Sequence, residues 1–491
     1  MVKLHMIDNR RIAVLGGGNA GWLTALFCKQ IFPKSHIIVI DNENIGPVGV
    51  GEATTPHFVD FLKDLNIDLR ELVKETSATI KNGISFENWN GDSKRYFHGF
   101  HENNDLNKFS IDPYFGDDCI DFYYKSLILK NLDLNEYTYP AKLSYEKKVD
   151  LHNLNFALHF DAGKMGQYLK KVGTARGIGY ANDNFKKVTC DSDHYLNSIV
   201  CEKNKYAVDF VFDTTGFHRL LIKNHFKVKW NSLQETLPMK KALAFNLDKQ
   251  EPIDPYTTAT ALPHGWVWNI PLQDRIGAGY VFDSNYINED QALEEVEKFL
   301  NKKITVRKVI DFEPGYFDKF WINNCMSVGL SSSFVEPLES TSLFLTVTQL
   351  KLIPFFVNHM FTKNNSGYER FNSMMVNSMK DIVNFIYLHY CTKRQDSLFW
   401  KEFKDKTKPP DTFNKFFTKI KNMDINWMDF PIHEKAIAYF ELYNFLQVSA
   451  GLNHFEKFNL KGYEDLTPDP EKYKQLVDFF VSQGNVHKEI L

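Results

Sequence analysis

Arg11-Ile12-Ala13-Val14-Leu15-Gly16-Gly17-Gly18-Asn19-Ala20-Gly21 is the stretch that decides how this chain folds. Its first five residues make a short, mostly apolar run that predicts a strand. The glycine turn follows, and then a helical stretch to about Phe32. His36-Ile37-Ile38-Val39-Ile40 reads as a second strand, and it ends in Asp41. The order predicts a βαβ unit. In Gly16-x-Gly18-x-x-Gly21 the first glycine permits the tight turn, Gly18 lets a pyrophosphate approach the backbone, and Gly21 lets the helix pack closely. The N-terminus of the following helix offers oriented N–H groups to negative charge. Asp41 falls where a carboxylate can accept hydrogen bonds from ribose hydroxyls. A glycine triplet alone is weak, but strand, helix and acidic strand end together point to a dinucleotide. They do not choose between FAD and NAD.

Further along, Ala207–Phe212 runs into Asp213-Thr214-Thr215-Gly216-Phe217. This reads as another strand entering a glycine turn, which would bring Gly216 back to the same cofactor. Segments 90–150 and 220–310 mix short strands with polar loops such as Asn103-Asn104-Asp105, an α+β insertion. From about residue 343 the periodicity turns mostly helical, in Leu343–Phe356 and again in Met379–Tyr390. We find no repeat, no low-complexity tract and no long linker. The expected fold is α/β with α+β insertions, a Rossmann-like core followed by a mostly helical C-terminal part. The expected division is 10–345 and 346–491, the first part discontinuous and interleaved with a substrate-facing part.

The 491 residues carry a formal charge of −3, which gives no footprint for nucleic acid or an anionic membrane surface. Met1–Arg11 carries charges with no apolar segment after it, so no secretion signal is read. Ser342–Phe361 is apolar but broken by Gln349 and Lys351, and mean hydropathy is −0.35, so a buried helix is expected there rather than a membrane span. Six cysteines without a Cys-x-x-Cys pair read as reduced thiols of a cytoplasmic protein. No histidine spacing suggests a metal site. The 42 phenylalanines fit a large core as well as an aromatic-lined pocket.

Four more segments stand out. Gly49-Val50-Gly51-Glu52-Ala53-Thr54-Thr55-Pro56 is, by itself, a mobile loop ending in a proline that can start a helix. Lys81, in Lys81-Asn82-Gly83-Ile84-Ser85-Phe86-Glu87-Asn88-Trp89, would by itself be a solvated lysine. Gly265-Trp266-Val267-Trp268-Asn269-Ile270-Pro271 reads as a strand with two tryptophans on one face. Phe334-Val335-Glu336-Pro337-Leu338-Glu339-Ser340-Thr341-Ser342 reads as an acidic helix start, with successive N–H groups suited to an anion. His159-Phe160-Asp161-Ala162 and Leu388-His389-Tyr390, followed by Arg394 and Phe399-Trp400, add to the pattern; both histidines read as structural.

In this order, the segments resemble the flavin-dependent tryptophan and indole halogenases, over a span from about residue 10 to about residue 400. The resemblance implies FAD, used as FADH2 delivered by a separate flavin reductase. Its binding residues would be Gly16, Gly18, Asn19, Ala20, Gly21 and Asp41, with Ala53 and Thr54 of a flavin-contacting strap, and Val188, Gly216, Leu330 and Leu343. It also implies Lys81 and Glu339 as the catalytic pair and a halide ion held at the backbone of Thr341 and Ser342. Trp266, Trp268, Ile270 and Pro271 match the family's Trp-x-Trp-x-Ile-Pro signature. The implied reaction turns O2 and halide into hypohalous acid, which Lys81 and Glu339 direct onto an electron-rich aromatic such as an indole or phenol. One departure is Ser342, where tryptophan-active members generally have glycine, so chloride, bromide and iodide all stay open. Phe440–Phe445 and His101 fall in stretches comparable to known substrate pockets, a match too loose to assign residues. A flavin monooxygenase and a non-catalytic FAD-binding protein are the rival readings. Assembly into a homo-oligomer is left open.

Overall fold

The computed structural model describes residues 9–44, 46, 51–100, 119–152, 154–363, 366–424, 440–455 and 470–491. The opening segment forms β1 (Arg11–Leu15), α1 (Asn19–Ile31) and β2 (His36–Asp41). β1 pairs parallel with β2 on one side, Val14 opposite Val39, and with Phe210–Asp213 on the other, Val14 opposite Phe212. The whole sheet runs Trp321–Ile322, Cys325–Ser327, Phe210–Asp213, β1, β2, Gly179–Asn182, and its Trp321 edge strand is antiparallel. Ile12, Ala13 and Val14 are fully buried, as expected of a strand covered on both faces.

The run read as one strand from Ala207 to Phe212 is two. Lys205–Ala207 closes a small antiparallel sheet, and Phe210–Asp213 joins the parallel one. Asp209 sits at the break, where its carboxylate accepts from the Arg11 backbone N–H (2.7 Å) and guanidinium (2.6 Å). That long-range pairing leaves no trace in local periodicity. Segment 220–310 also differs from its reading, because it supplies most of a seven-stranded sheet.

β3 (Thr79–Lys81) belongs to a three-stranded sheet with Glu52–Ala53 and Ala157–Phe160. After Asn82 the chain crosses into the seven-stranded sheet, whose order is β4 (Arg95–Gly99), Gly83–Glu87, Thr257–Leu262, β5 (Gly265–Pro271), Ile276–Phe282, Lys241–Leu247 and Lys308–Asp311. All neighbours are antiparallel except Gly83–Glu87 with Thr257–Leu262. The C-terminal part is helical and includes α2 (Thr341–Met360), α3 (Ser366–Tyr390) and α4 (Leu442–Gly451). α2 is buried around most of its circumference, as the apolar run Ser342–Phe361 requires. Among the described residues no helix is long and apolar enough to cross a membrane. One apolar cluster runs from Ile12 and Trp22 through Trp266 and Leu343 to Phe385 and Leu446, so sheets and C-terminal helices share a core. Cys28, Cys190, Cys201, Cys325 and Cys391 are free thiols.

Candidate active site

The glycine turn works by close approach. Gly16 has φ +112°, and a Cβ there would lie 2.4 Å from the Thr214 carbonyl oxygen; one on Gly21 would lie 2.0 Å from the Gly16 carbonyl oxygen. Gly17 admits Asp41, whose Oδ2 would be 2.4 Å from an added Cβ. Gly18 faces open space instead. α1 starts after it with no side-chain cap and no acidic residue in its first turn. Asn19 donates from Nδ2 to Glu52 (3.2 Å), while its buried Oδ1 meets no donor among the described residues. Open space, an uncapped helix start and an orphan acceptor fit a dinucleotide pyrophosphate.

The other proposed cofactor residues distribute around this turn. Gly216 (φ +60°) opens the single 3-10 turn that follows Asp213 and Thr214. A Cβ on Gly329 would meet Ala20 at 2.9 Å and Thr346 at 3.5 Å, so the Gly329–Ser331 turn bearing Leu330 lies against both α1 and α2, and α2 carries Leu343. Ala53 pairs with His159 across the three-stranded sheet. Val188 is half-buried in the Phe185–Cys190 strand, in the apolar cluster of Leu15 and Ile40. Gly49 and Val50 of the strap lie outside the described residues.

The strap leads directly to Lys81. Thr54 anchors through its N–H (3.0 Å) and hydroxyl (2.9 Å) on the Leu158 carbonyl, and its own carbonyl accepts from Lys81 Nζ at 2.9 Å. Lys81 is fully buried and donates a second bond to Ser340 Oγ at 3.0 Å, with Nζ 5.4 Å from the centre of the Phe100 ring. Burial pushes its ammonium down to about 7, against the pull of the Glu339 carboxylate. Here β3 and the segment before α2 meet.

Glu339 and Ser340 are consecutive left-handed residues, with φ +70° and +57°. That conformation costs an L-residue about 1–2 kcal/mol, and the surrounding hydrogen bonds hold it in place. It sets the Glu339 carboxylate between two imidazoles. His98 Nδ1, on β4, lies 2.9 Å from both oxygens, and His389 Nε2, on α3, lies 2.9 Å from Oε1. Burial by itself would raise the carboxyl; His98 and His389 outweigh it and hold the group down at about 2.

α2 begins immediately afterwards. Its N-cap, Ser340, caps nothing with its side chain, and its first turn has no acidic residue. Thr341 is buried with its hydroxyl unpartnered among the described residues, and Ser342 is half-buried. The first N–H groups of a helix have no partner within the helix itself, which at this point suits an anion.

The tryptophan motif braces both the Lys81 and the Glu339 segments. Trp266 and Trp268 share a face of β5, ring centroids 6.3 Å apart. Trp266 Nε1 donates to Tyr390 Oη (3.1 Å), which donates to Glu336 (2.7 Å), three residues before Glu339. Burial pushes the Glu336 carboxyl up to about 8. Pro271 accepts through its carbonyl from Thr79 Oγ1 (2.7 Å), two residues before Lys81, and an added Cβ on Gly51 would lie 3.4 Å from Ile270. Arg394 donates to the Asn88 and Ala261 carbonyls (2.9 and 3.0 Å), which ties the end of α3 to the same sheet.

His159 is a core histidine between Thr79 (3.0 Å) and Thr257 (2.9 Å). His389, also read as structural, is fully buried with its Nε2 on Glu339. His98 carried no sequence signal because its partner is 241 residues away. Asn444, within the Phe440–Phe445 stretch, reaches His98; His101 lies outside the described residues.

The model of the tryptophan halogenase family matches residues 11–460. Tryptophan 6-halogenase SttH of Streptomyces toxytricini is 29% identical over 430 residues, covering 81% of this chain and 82% of its own length. Among solved structures, BrvH, a flavin-dependent halogenase from Brevundimonas sp. BAL3, superposes with a TM-score of 0.85 at 25% identity, covering 98% of this chain and 99% of its own. A flavin-dependent halogenase from Xanthomonas campestris gives 0.87 at 25% identity, covering 98% of both chains.

Proposed function

The chain belongs to the tryptophan halogenase family, and on that premise we propose that Lys81 and Glu339 direct an electrophilic halogen onto an electron-rich aromatic ring. The family is one of flavin-dependent enzymes that halogenate tryptophan and other aromatics. The observation that carries the residue assignment is the meeting at Ser340, where a buried lysine pushed down and a buried carboxylate held down arrive from opposite ends of the chain. Shifts of this kind in one buried place are the mark of a reacting centre.

FAD is the cofactor the family implies, and Gly16, Gly18, Asn19, Ala20, Gly21 and Asp41 would hold it, with Ala53, Thr54, Val188, Gly216, Leu330 and Leu343 around them. Bound there and reduced by a separate flavin reductase, it supplies with oxygen the oxidation of halide to hypohalous acid. The first N–H groups of α2, at Thr341 and Ser342, would keep the halide. Lys81 then orients the hypohalous acid. As an ammonium it spends two of its three N–H bonds on Thr54 and Ser340 and offers the third to the reagent; as a neutral amine it spends both and offers its lone pair to the halogen. A group poised at about 7 supports either form, and a pH profile separates them: the ammonium route loses rate above that point, the amine route below it.

The substrate we propose is an indole, a phenol or a similar ring rather than free tryptophan in particular. Ser342, in place of the glycine of tryptophan-active members, favours a softer halide over chloride. Mass spectrometry of an aromatic panel, run with FAD, a flavin reductase, NADH and equal chloride, bromide and iodide, tests these points together. Brominated or iodinated product supports them. Dominant chlorination sinks the halide assignment, hydroxylated product without halide indicates a monooxygenase, and FAD binding with no product indicates a non-catalytic protein.

A further inference from the structure

Glu339 has two imidazole neighbours, and the groups behind them give those imidazoles different proton counts. Asn444 Oδ1 accepts from the Glu441 N–H (2.8 Å), which fixes the orientation of its amide. Asn444 Nδ2 therefore donates to His98 Nε2 at 2.9 Å, and that nitrogen is an acceptor. The single ring proton of His98 is on Nδ1, directed at Glu339. His98 is a fixed donor to Glu339 through Nδ1.

His389 is held differently. Its Nδ1 lies 2.8 Å from the Phe385 carbonyl, which can only accept, so Nδ1 carries a proton. Its Nε2 lies 2.9 Å from Glu339 Oε1. Without a proton between them, a nitrogen lone pair would face a carboxylate oxygen inside the core, where an unmade hydrogen bond is costly. The ring is fully buried against Phe86 and Trp89, so water does not relieve that contact. The other titratable groups nearby are His98, His454, Tyr96 and Lys81. His454 bonds the Cys391 carbonyl and is kept neutral by its burial, and Lys81 is turned towards Thr54 and Ser340.

We propose that His389 stores a proton shared with Glu339, and that this proton lets Glu339 act first as an acid and then as a base in each turnover. As the X–O bond of hypohalous acid breaks, the His389 Nε2–H bond breaks with it and the stored proton passes through Glu339 to the departing hydroxyl, which leaves as water. The halogen forms its bond to a ring carbon. That carbon's C–H bond then breaks, its electron pair returns to the ring, and its proton goes to Glu339 and restores the pair. The halogen is reduced as the ring is oxidised, and no further oxidant is needed. His389 is thus a positioning residue acting through Glu339. The proposal rests on the halogenase reading for where the proton travels, not for its presence.

The direct test is nuclear magnetic resonance of the ¹⁵N-histidine-labelled protein at neutral pH. His389 should carry protons on both ring nitrogens and His98 on Nδ1 alone; a bare Nε2 on His389 overturns the proposal. Kinetics give a second arm. His389→Gln should lower kcat by about 100-fold or more with KM for the aromatic within about threefold. His98→Gln, whose amide can still donate to Glu339, should cost at most about tenfold. A His389→Gln protein with wild-type kcat contradicts the proposal, and if that variant does not fold the resonance measurement decides. If the wild type halogenates nothing, the functional reading fails while the proton count still stands or falls by itself.

Discussion

Lys81 is a charge placed where charge is disfavoured, and its consequences can be measured apart from catalysis. An unfolded lysine keeps its proton to about 10.5, whereas burial lowers the folded one to about 7. Between those values the unfolded chain binds more protons, so stability should rise with pH by up to about 1.4 kcal/mol per unit. Lys81→Met should abolish that slope, fold at least as stably as the wild type at pH 7, and lose activity by about 1000-fold; urea midpoints across pH 7 to 10 and product yields check both. Glu336 predicts the opposite sign. Burial keeps it protonated to about 8, while an unfolded glutamate ionises near 4.5. Stability contributed by this group should therefore fall as pH rises through that window, and Glu336→Gln should flatten the fall in urea midpoints taken across pH 4.5 to 8. The sequence marked Lys81 and Glu339 through family resemblance, but nothing in it announced Glu336, Tyr390 or His98. Each matters through a partner that only the folded chain brings near.

At the scale of elements, legibility follows sequence distance. β1 and β2 have the bounds their apolar runs predict, and α1 lies between them as expected but starts inside the glycine motif, at Asn19, because each is specified by its own residues and its neighbour in the chain. The seven-stranded sheet was missed in segment 220–310, where strands such as Lys241–Leu247 and Lys308–Asp311 find each other across long intervals. β5 shows what such pairing demands. Trp268 lies over Gly279 of the adjacent strand, where an added Cβ would come within 2.1 Å of the indole. Gly279→Ala should displace Trp268 and lower stability by about 1–3 kcal/mol, read as a drop in Tm. An unchanged Tm would show that the indole moves aside freely.

Across the whole molecule, the site is built from strands and helices that share one core. Asn19 and Glu52 mark one end, Lys81, Glu339 and His389 the other, and Thr54 links them by accepting from Lys81. The sequence leads to an expected division at residue 345; because α2 and α3 pack in the same cluster as β1, thermal unfolding should nonetheless be a single transition, and calorimetry with two separated peaks would say otherwise. The fold class and the order of motifs were legible because they are written locally, whereas the convergence of β3, β4, α2, α3 and α4 on one carboxylate was not. The central claim is that Lys81 and Glu339 form the halogenating centre. Its most direct test is the rate at which halogenated product forms, followed by mass spectrometry with FAD, a flavin reductase, NADH, oxygen and halide, for wild type beside Lys81→Ala. The account predicts halide-dependent product from the wild type and its loss in Lys81→Ala with FAD binding retained; a Lys81→Ala enzyme that halogenates at the wild-type rate would contradict it.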